Sequence, residues 1–103
     1  MAFKIYHSFT FDRKLDKMQK DFKDWLENIE AQLETNPYVG DQIRFRWFRE
    51  KKRGKYRIYY LIYEDIQAVY LVNLSEKKDQ QSIINACLIF LDNFKEEIKN
   101  LIK

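Results

Sequence analysis

The stretch from Ile43 to Gln81, IRFRWFREKKRGKYRIYYLIYEDIQAVYLVNLSEKKDQQ, most narrows what this chain can fold into. It holds three runs with the two-residue alternation of β-strands, separated by a Lys/Arg/Gly turn and then by an acidic turn at Glu64 and Asp65. Connections this short make an antiparallel meander. Its first two strands and the turn between them carry Arg44, Arg46, Arg49, Lys51, Lys52, Arg53, Lys55 and Arg57. These interleave with Trp47, Tyr56, Tyr59 and Tyr63, and a positive sheet studded with aromatics suits a polyanion with exposed bases.

Net charge alone does not announce such a partner: 19 Lys and Arg against 16 Asp and Glu give only +3. The local crowding does, with eight basic residues and one acid, Glu50, between Arg44 and Arg57. Other chemistries lack their residues. One Cys and one His cannot make a thiolate zinc site, a disulfide frame or a Cys–His pair, so no metal and no cofactor are expected. Cys87 reads as a buried small hydrophobe and His7 as a structural residue. Two glycines, Gly40 and Gly54, cannot build a phosphate-cradling loop, which excludes P-loop and dinucleotide enzymes. No stretch is apolar for long enough to span a bilayer, and residues 1–20 are charged throughout, so a cytoplasmic home is expected.

The pattern predicts one α+β domain over residues 1–103, in the order β-α-β-β-β-α, with a small antiparallel sheet. A strand at Ala2–Ser8 leads into a helix from Asp12 to Glu34, capped by Thr10 or Asp12. Its apolar stripe runs through Leu15, Met18, Phe22, Trp25, Leu26, Ile29 and Leu33, and a break near Gln19–Asp21 would make it an α-hairpin. Asn36-Pro37 ends it. In the next strand, parity sends Ile43, Phe45 and Trp47 to the helix and Arg44, Arg46 and Phe48 outward. Both parities of the third strand are largely apolar; Arg57 and Tyr59 are placed outward because an unpaired buried guanidinium is costly. Gln67–Leu74 is apolar on both faces and so is central or covered twice. A terminal helix, started by Asp79 or Ser75, spans Asp79–Ile102 with a main stripe from Ile83 to Leu101. Ile89, Phe90 and Ile102 widen that stripe beyond what one small sheet covers, so a partner chain or a homodimer through this helix is expected.

The element order, the NP..G turn (Asn36, Pro37, Gly40), the RGKYRIYY run (Arg53–Tyr60) and the closing KKD (Lys77–Asp79) together resemble the RelE/ParE superfamily of type II toxins. The resemblance implies a cognate antitoxin protein as partner. In the members that cleave messenger RNA on the ribosome, it also implies attack by the RNA's own 2′-hydroxyl, with basic residues stabilising the phosphorane and no metal. Carried over, the catalytic candidates are Arg46, Arg57 and Lys78, the last a lysine where the family has an arginine fork. The RNA-binding candidates are Arg44, Arg49, Lys52, Arg53, Lys55, Tyr59 and Lys77. Where many cleaving members have a terminal tyrosine or histidine, this chain has Gln80, Gln81, Ser82, Ile83 and Ile84. The alternatives are a noncatalytic relative, either a ParE-like inhibitor of DNA gyrase or an RNA- or protein-binding module, and a charged hairpin that merely blunts a sheet edge.

Overall fold

In the computed structural model, which describes residues 2–103, the elements are β1 (Lys4–His7), α1 (Phe9–Leu15), α2 (Lys20–Thr35), β2 (Asp41–Ile43), β3 (Phe45–Arg53), β4 (Tyr56–Tyr63), β5 (Ala68–Glu76), α3 (Gln80–Ile89) and α4 (Leu91–Ile102). Five strands make one sheet in the order β1-β5-β4-β3-β2. The meander β2 to β5 is antiparallel, as its short turns require, while β1 joins β5 in parallel and makes the sheet mixed. The doubly apolar run is β5, which lies between β1 and β4 and is covered on both faces.

The first helix divides into a hairpin at residues 16–19. Its cap is Ser8 rather than Thr10 or Asp12: Ser8 Oγ accepts from Phe11 N at 3.0 Å and donates to the Val72 carbonyl at 2.8 Å, so the cap also fastens α1 to β5. Phe22, Leu26, Ile29 and Leu33 of α2 pack on Ile58, Tyr60, Ile62, Val69, Leu71 and Leu74. The opposite face puts Phe48, Tyr59, Leu61, Tyr70 and Val72 beneath Cys87 and Ile98 of α3 and α4. The terminal helix also breaks, at Phe90, which resets the helical phase. Leu101, counted with the main stripe, is therefore exposed, along with Ile89, Phe90 and Ile102.

The alternation expected of the second strand separates Phe45 and Trp47 from Phe48, but Ile43 leaves it to join the Phe48 side and the burial of the two faces is reversed. Arg44 adopts a left-handed φ of +51° that separates β2 from β3, and the register shifts between Gln42 and Ile43. Phe48, expected outward, is fully buried under α3 and α4, whereas Phe45 and Trp47, expected inward, are 38% and 39% exposed. Phe48 is buried because α3 and α4 cover that face, and Phe45 and Trp47 are exposed because the α1–α2 layer packs on no buried residue of β3. The turn before β2 is fixed by Tyr60, whose hydroxyl donates to the Pro37 carbonyl at 2.7 Å and accepts from Gly40 N at 3.1 Å. A Cβ at Gly40 would stand 2.6 Å from both that hydroxyl and the Glu50 carbonyl, so only glycine fits.

His7 has the structural role expected of it. Nδ1 meets Asp12 at 2.6 Å and Nε2 meets Glu30 at 2.5 Å, joining β1 to both helices of the hairpin. Burial is the largest single influence on its pKa and lowers it, but the hydrogen bonds and charges of Glu30 and Asp12 together outweigh burial, so the net shift is upward. A raised folded pKa gives stability that is fully present below the unfolded value of about 6.5 and lost as pH rises through the folded value. The difference in melting temperature between wild type and His7→Gln should therefore shrink as pH is raised upward from 6. A pH-independent difference would contradict the charged bridge.

Candidate functional site

The two-residue turn Gly54-Lys55 joins β3 to β4, with Gly54 at φ +55° where a side chain would be strained. It sets the register Lys52 opposite Arg57 and Glu50 opposite Tyr59. Arg57 and Glu50 are thus diagonal neighbours on the face beneath α3. Both are 7% exposed, and Arg57 Nε stands 3.9 Å from a Glu50 oxygen without a hydrogen-bond partner. Its Nη1 donates to the carbonyls of Gly54 at 2.8 Å and Tyr56 at 2.9 Å. Gln80, at the start of α3, donates to both Glu50 oxygens at 2.8 and 3.1 Å and so holds the carboxylate in place. The outward placement of Arg57 and Tyr59 is therefore overturned: Tyr59 is fully buried, its hydroxyl 2.9 Å from Ser75 Oγ. The guanidinium does not go unpaired, and that removes the objection to burying it.

The other basic candidates separate into two groups. Lys52, Lys55, Lys77 and Lys78 gather at the Arg57 end, where Lys77 N donates to the Lys55 carbonyl at 2.6 Å. Lys52 pairs with Asp41 at 3.3 Å and Lys55 with Glu76 at 3.8 Å. Arg53 pairs with Asp21 at 3.4 Å and lies over the Trp25 ring on the α2 side. Such exposed pairs contribute at most about 1 kcal/mol and a polyanion could displace them. Arg46 lies six residues from Lys52, about 20 Å along the strand at about 3.3 Å per residue. The structure therefore brings Arg57 near Lys77 and Lys78 but not near Arg46.

Arg49 is committed to the backbone, donating to the carbonyls of Gly40 at 2.7 Å, Arg46 at 2.9 Å and Tyr38 at 3.3 Å. Arg44 is exposed at the left-handed bend. Arg46 lies over the Tyr38 ring, 4.1 Å from its centroid, and the Tyr38 hydroxyl donates to Glu64. Sequence reasoning missed Tyr38, although its place in the NP..G turn beside an arginine-rich strand was visible. It also missed Lys14, whose pKa is lowered first by burial and then by Arg13, and whose Nζ donates to Asn73 Oδ1 at 2.7 Å and the Leu74 carbonyl at 3.1 Å. Burial raises the Cys87 thiol to about 11, which makes it a poor nucleophile.

A buried ion pair predicts an asymmetry between single and double replacements. Glu50→Ala strands a buried guanidinium and should lower stability by about 3 kcal/mol, while joint replacement of Glu50 and Arg57 by Leu and Met should recover most of that loss. Urea unfolding of the three variants measures it, and additive losses would mean that the two groups are not coupled.

A family model described as "ParE toxin of type II toxin-antitoxin system, parDE" matches residues 4–80, all five strands and the hairpin α1–α2. A mutant E. coli toxin RelE in the free state has a similar fold, with TM-score 0.71, 12% identity, and coverage of 84% of this chain and 93% of that one. The RelBE2 toxin-antitoxin complex from Mycobacterium tuberculosis gives TM-score 0.64 at 20% identity, over 74% of this chain and 99% of that one. The archaeal RelE-RelB complex from Pyrococcus horikoshii gives 0.58 at 14%, over 74% and 96%. At these identities the structures speak for the fold alone. No curated protein sequence matches. The match over residues 4–80 carries the assignment: this chain belongs to the ParE toxin family, within the RelE/ParE superfamily of type II toxin-antitoxin systems.

Proposed function

We propose that this toxin acts by binding a protein target, with DNA gyrase the target its ParE resemblance implies, and that a cognate antitoxin chain keeps it silent. The observation that carries the reading is the burial of Arg57. Cleavage of RNA needs cations converging on one phosphate, in an open site, with a group placed to move the proton of the 2′-hydroxyl. Here the best-matched arginine is 7% exposed beside a carboxylate, and Arg46 is about 20 Å away along the strand. The antitoxin part of the proposal is supported by the relatives described as RelBE2 and RelE-RelB complexes. Among the described residues, no helix is long and apolar enough to cross a membrane.

A second reading, a RelE-like endoribonuclease acting on messenger RNA, keeps one observation in its favour. Lys52, Lys55, Lys77 and Lys78 surround the end of the sheet where Arg57 lies, so lifting α3 would uncover a basic site. The two readings part in one experiment. Induced expression with primer-extension mapping should leave transcripts intact, while purified chain added to gyrase should lower supercoiling. Cuts at defined sites with wild type that vanish in a folded Arg57→Ala variant would overturn the proposal and install the endoribonuclease.

A further inference from the structure

We infer that the corner made by Arg44–Trp47 and the start of α4 is the surface that docks the target, and that it takes a protein segment with an apolar anchor side chain next to an acidic residue. The inference rests on the binding mode proposed above and adds where the contact is made and with what chemistry.

Phe45 and Trp47 are parallel-stacked, with centroids 4.7 Å apart and planes 7° from parallel, at alternate positions on β3. The α1–α2 layer packs on β4, β5 and β1 but takes no buried residue from β3, so the start of β3 projects past it and the rings remain exposed. Two stacked rings on one strand form a rigid apolar plate that loses little entropy on contact, the type of residue that anchors interfaces. Beside the plate opens a cavity of about 670 Å³, within the size range of ligand clefts, with Trp47, Ile62, Tyr63 and Leu91 as its apolar wall. An apolar side chain fits there.

The charges of the cavity, with Arg44 next to the plate in the chain, choose the partner class. Arg44 and Arg46 make no ion pair among the described residues, and Arg46 is presented on Tyr38, itself held by Glu64. Arg44 is strained at φ +51°, a conformation kept where the surrounding structure imposes it. The cavity is also lined by Glu64, Asp65 and Asp92, and by Lys95. Three carboxylates at one opening repel a nucleic-acid backbone, whereas a protein segment can set a carboxylate on the arginines and a cation on the acids.

Trp47→Ala and Arg46→Glu alter exposed groups and should leave the thermal unfolding transition within a few degrees of wild type. With purified gyrase immobilised as probe, and binding of each variant titrated by surface plasmon resonance, wild type should bind. Both variants should bind at least about tenfold more weakly and lose growth arrest on expression. Variants that bind gyrase equally well overturn the docking surface and leave the binding mode standing. If wild type does not bind gyrase at all, the gyrase target is wrong and growth arrest decides alone: folded variants that still arrest growth overturn the surface, and variants that do not support it. A single-stranded RNA that binds wild type in the same titration and no longer binds either variant overturns the inference in favour of a nucleic acid.

Discussion

Helices cover the sheet on both faces, and that constraint governs the rest of the molecule. An antiparallel meander of this size commonly has one solvated face on which arginines can be displayed. Here α2 takes one side of β4 and β5, and α3 with α4 takes the other. A charged residue within β4 therefore has to be buried with a partner. Burying an ion pair rarely adds net stability, because desolvation of both ions offsets their attraction. Stranding one ion is what costs, which explains why Glu50 stands diagonal to Arg57 and why Gln80 reaches down from α3 to hold Glu50.

The same constraint turns a basic run into a set of ties between elements. Asp21 comes from α2, Asp41 from β2 and Glu76 from β5, each meeting a cation of the β3–β4 hairpin. Arg49 closes the turn before β2 through backbone carbonyls. The exposed ties are individually weak and exchangeable. The buried pair is not exchangeable without moving α3, and for that reason Arg57, rather than the lysines around it, decides how the basic cluster is read.

Much of the fold was legible in the sequence because its signals were periodic and local. The doubly apolar strand expected over Gln67–Leu74, found at Ala68–Glu76, and the α2 stripe followed from spacing, and the Asn36-Pro37 stop from the backbone restriction of proline. Which face of β3 would be buried was not legible, since IRFRWF puts apolar side chains on both faces and nothing local marks Arg44 as the residue that takes a left-handed φ. The burial of Arg57 was half legible. Counting outward from a two-residue Gly54-Lys55 turn puts Glu50 opposite Tyr59 and hence beside Arg57, a pairing carried by the sequence itself. What could not be counted was Gln80, 30 residues from Glu50, brought over the pair by the packing of α3 on β5. The site thus depended on a long-range contact, and the family resemblance supplied residue matches without saying which face would be covered.

A division of labour within the sheet follows from where the helix layers stop. β4 and β5 are sandwiched and carry packing; the start of β3 lies beyond the α1–α2 layer and carries display. A short β2 and the bulge at Ile43 keep this projecting edge from offering a long flat strand to other chains. Exposed stacked aromatics are a liability for solubility unless they are used, and the strained Arg44 beside them adds an energetic cost of its own. Neither feature helps the core. Both become intelligible if the start of β3 is kept rigid for a partner while the buried arginine under α3 is kept for the fold.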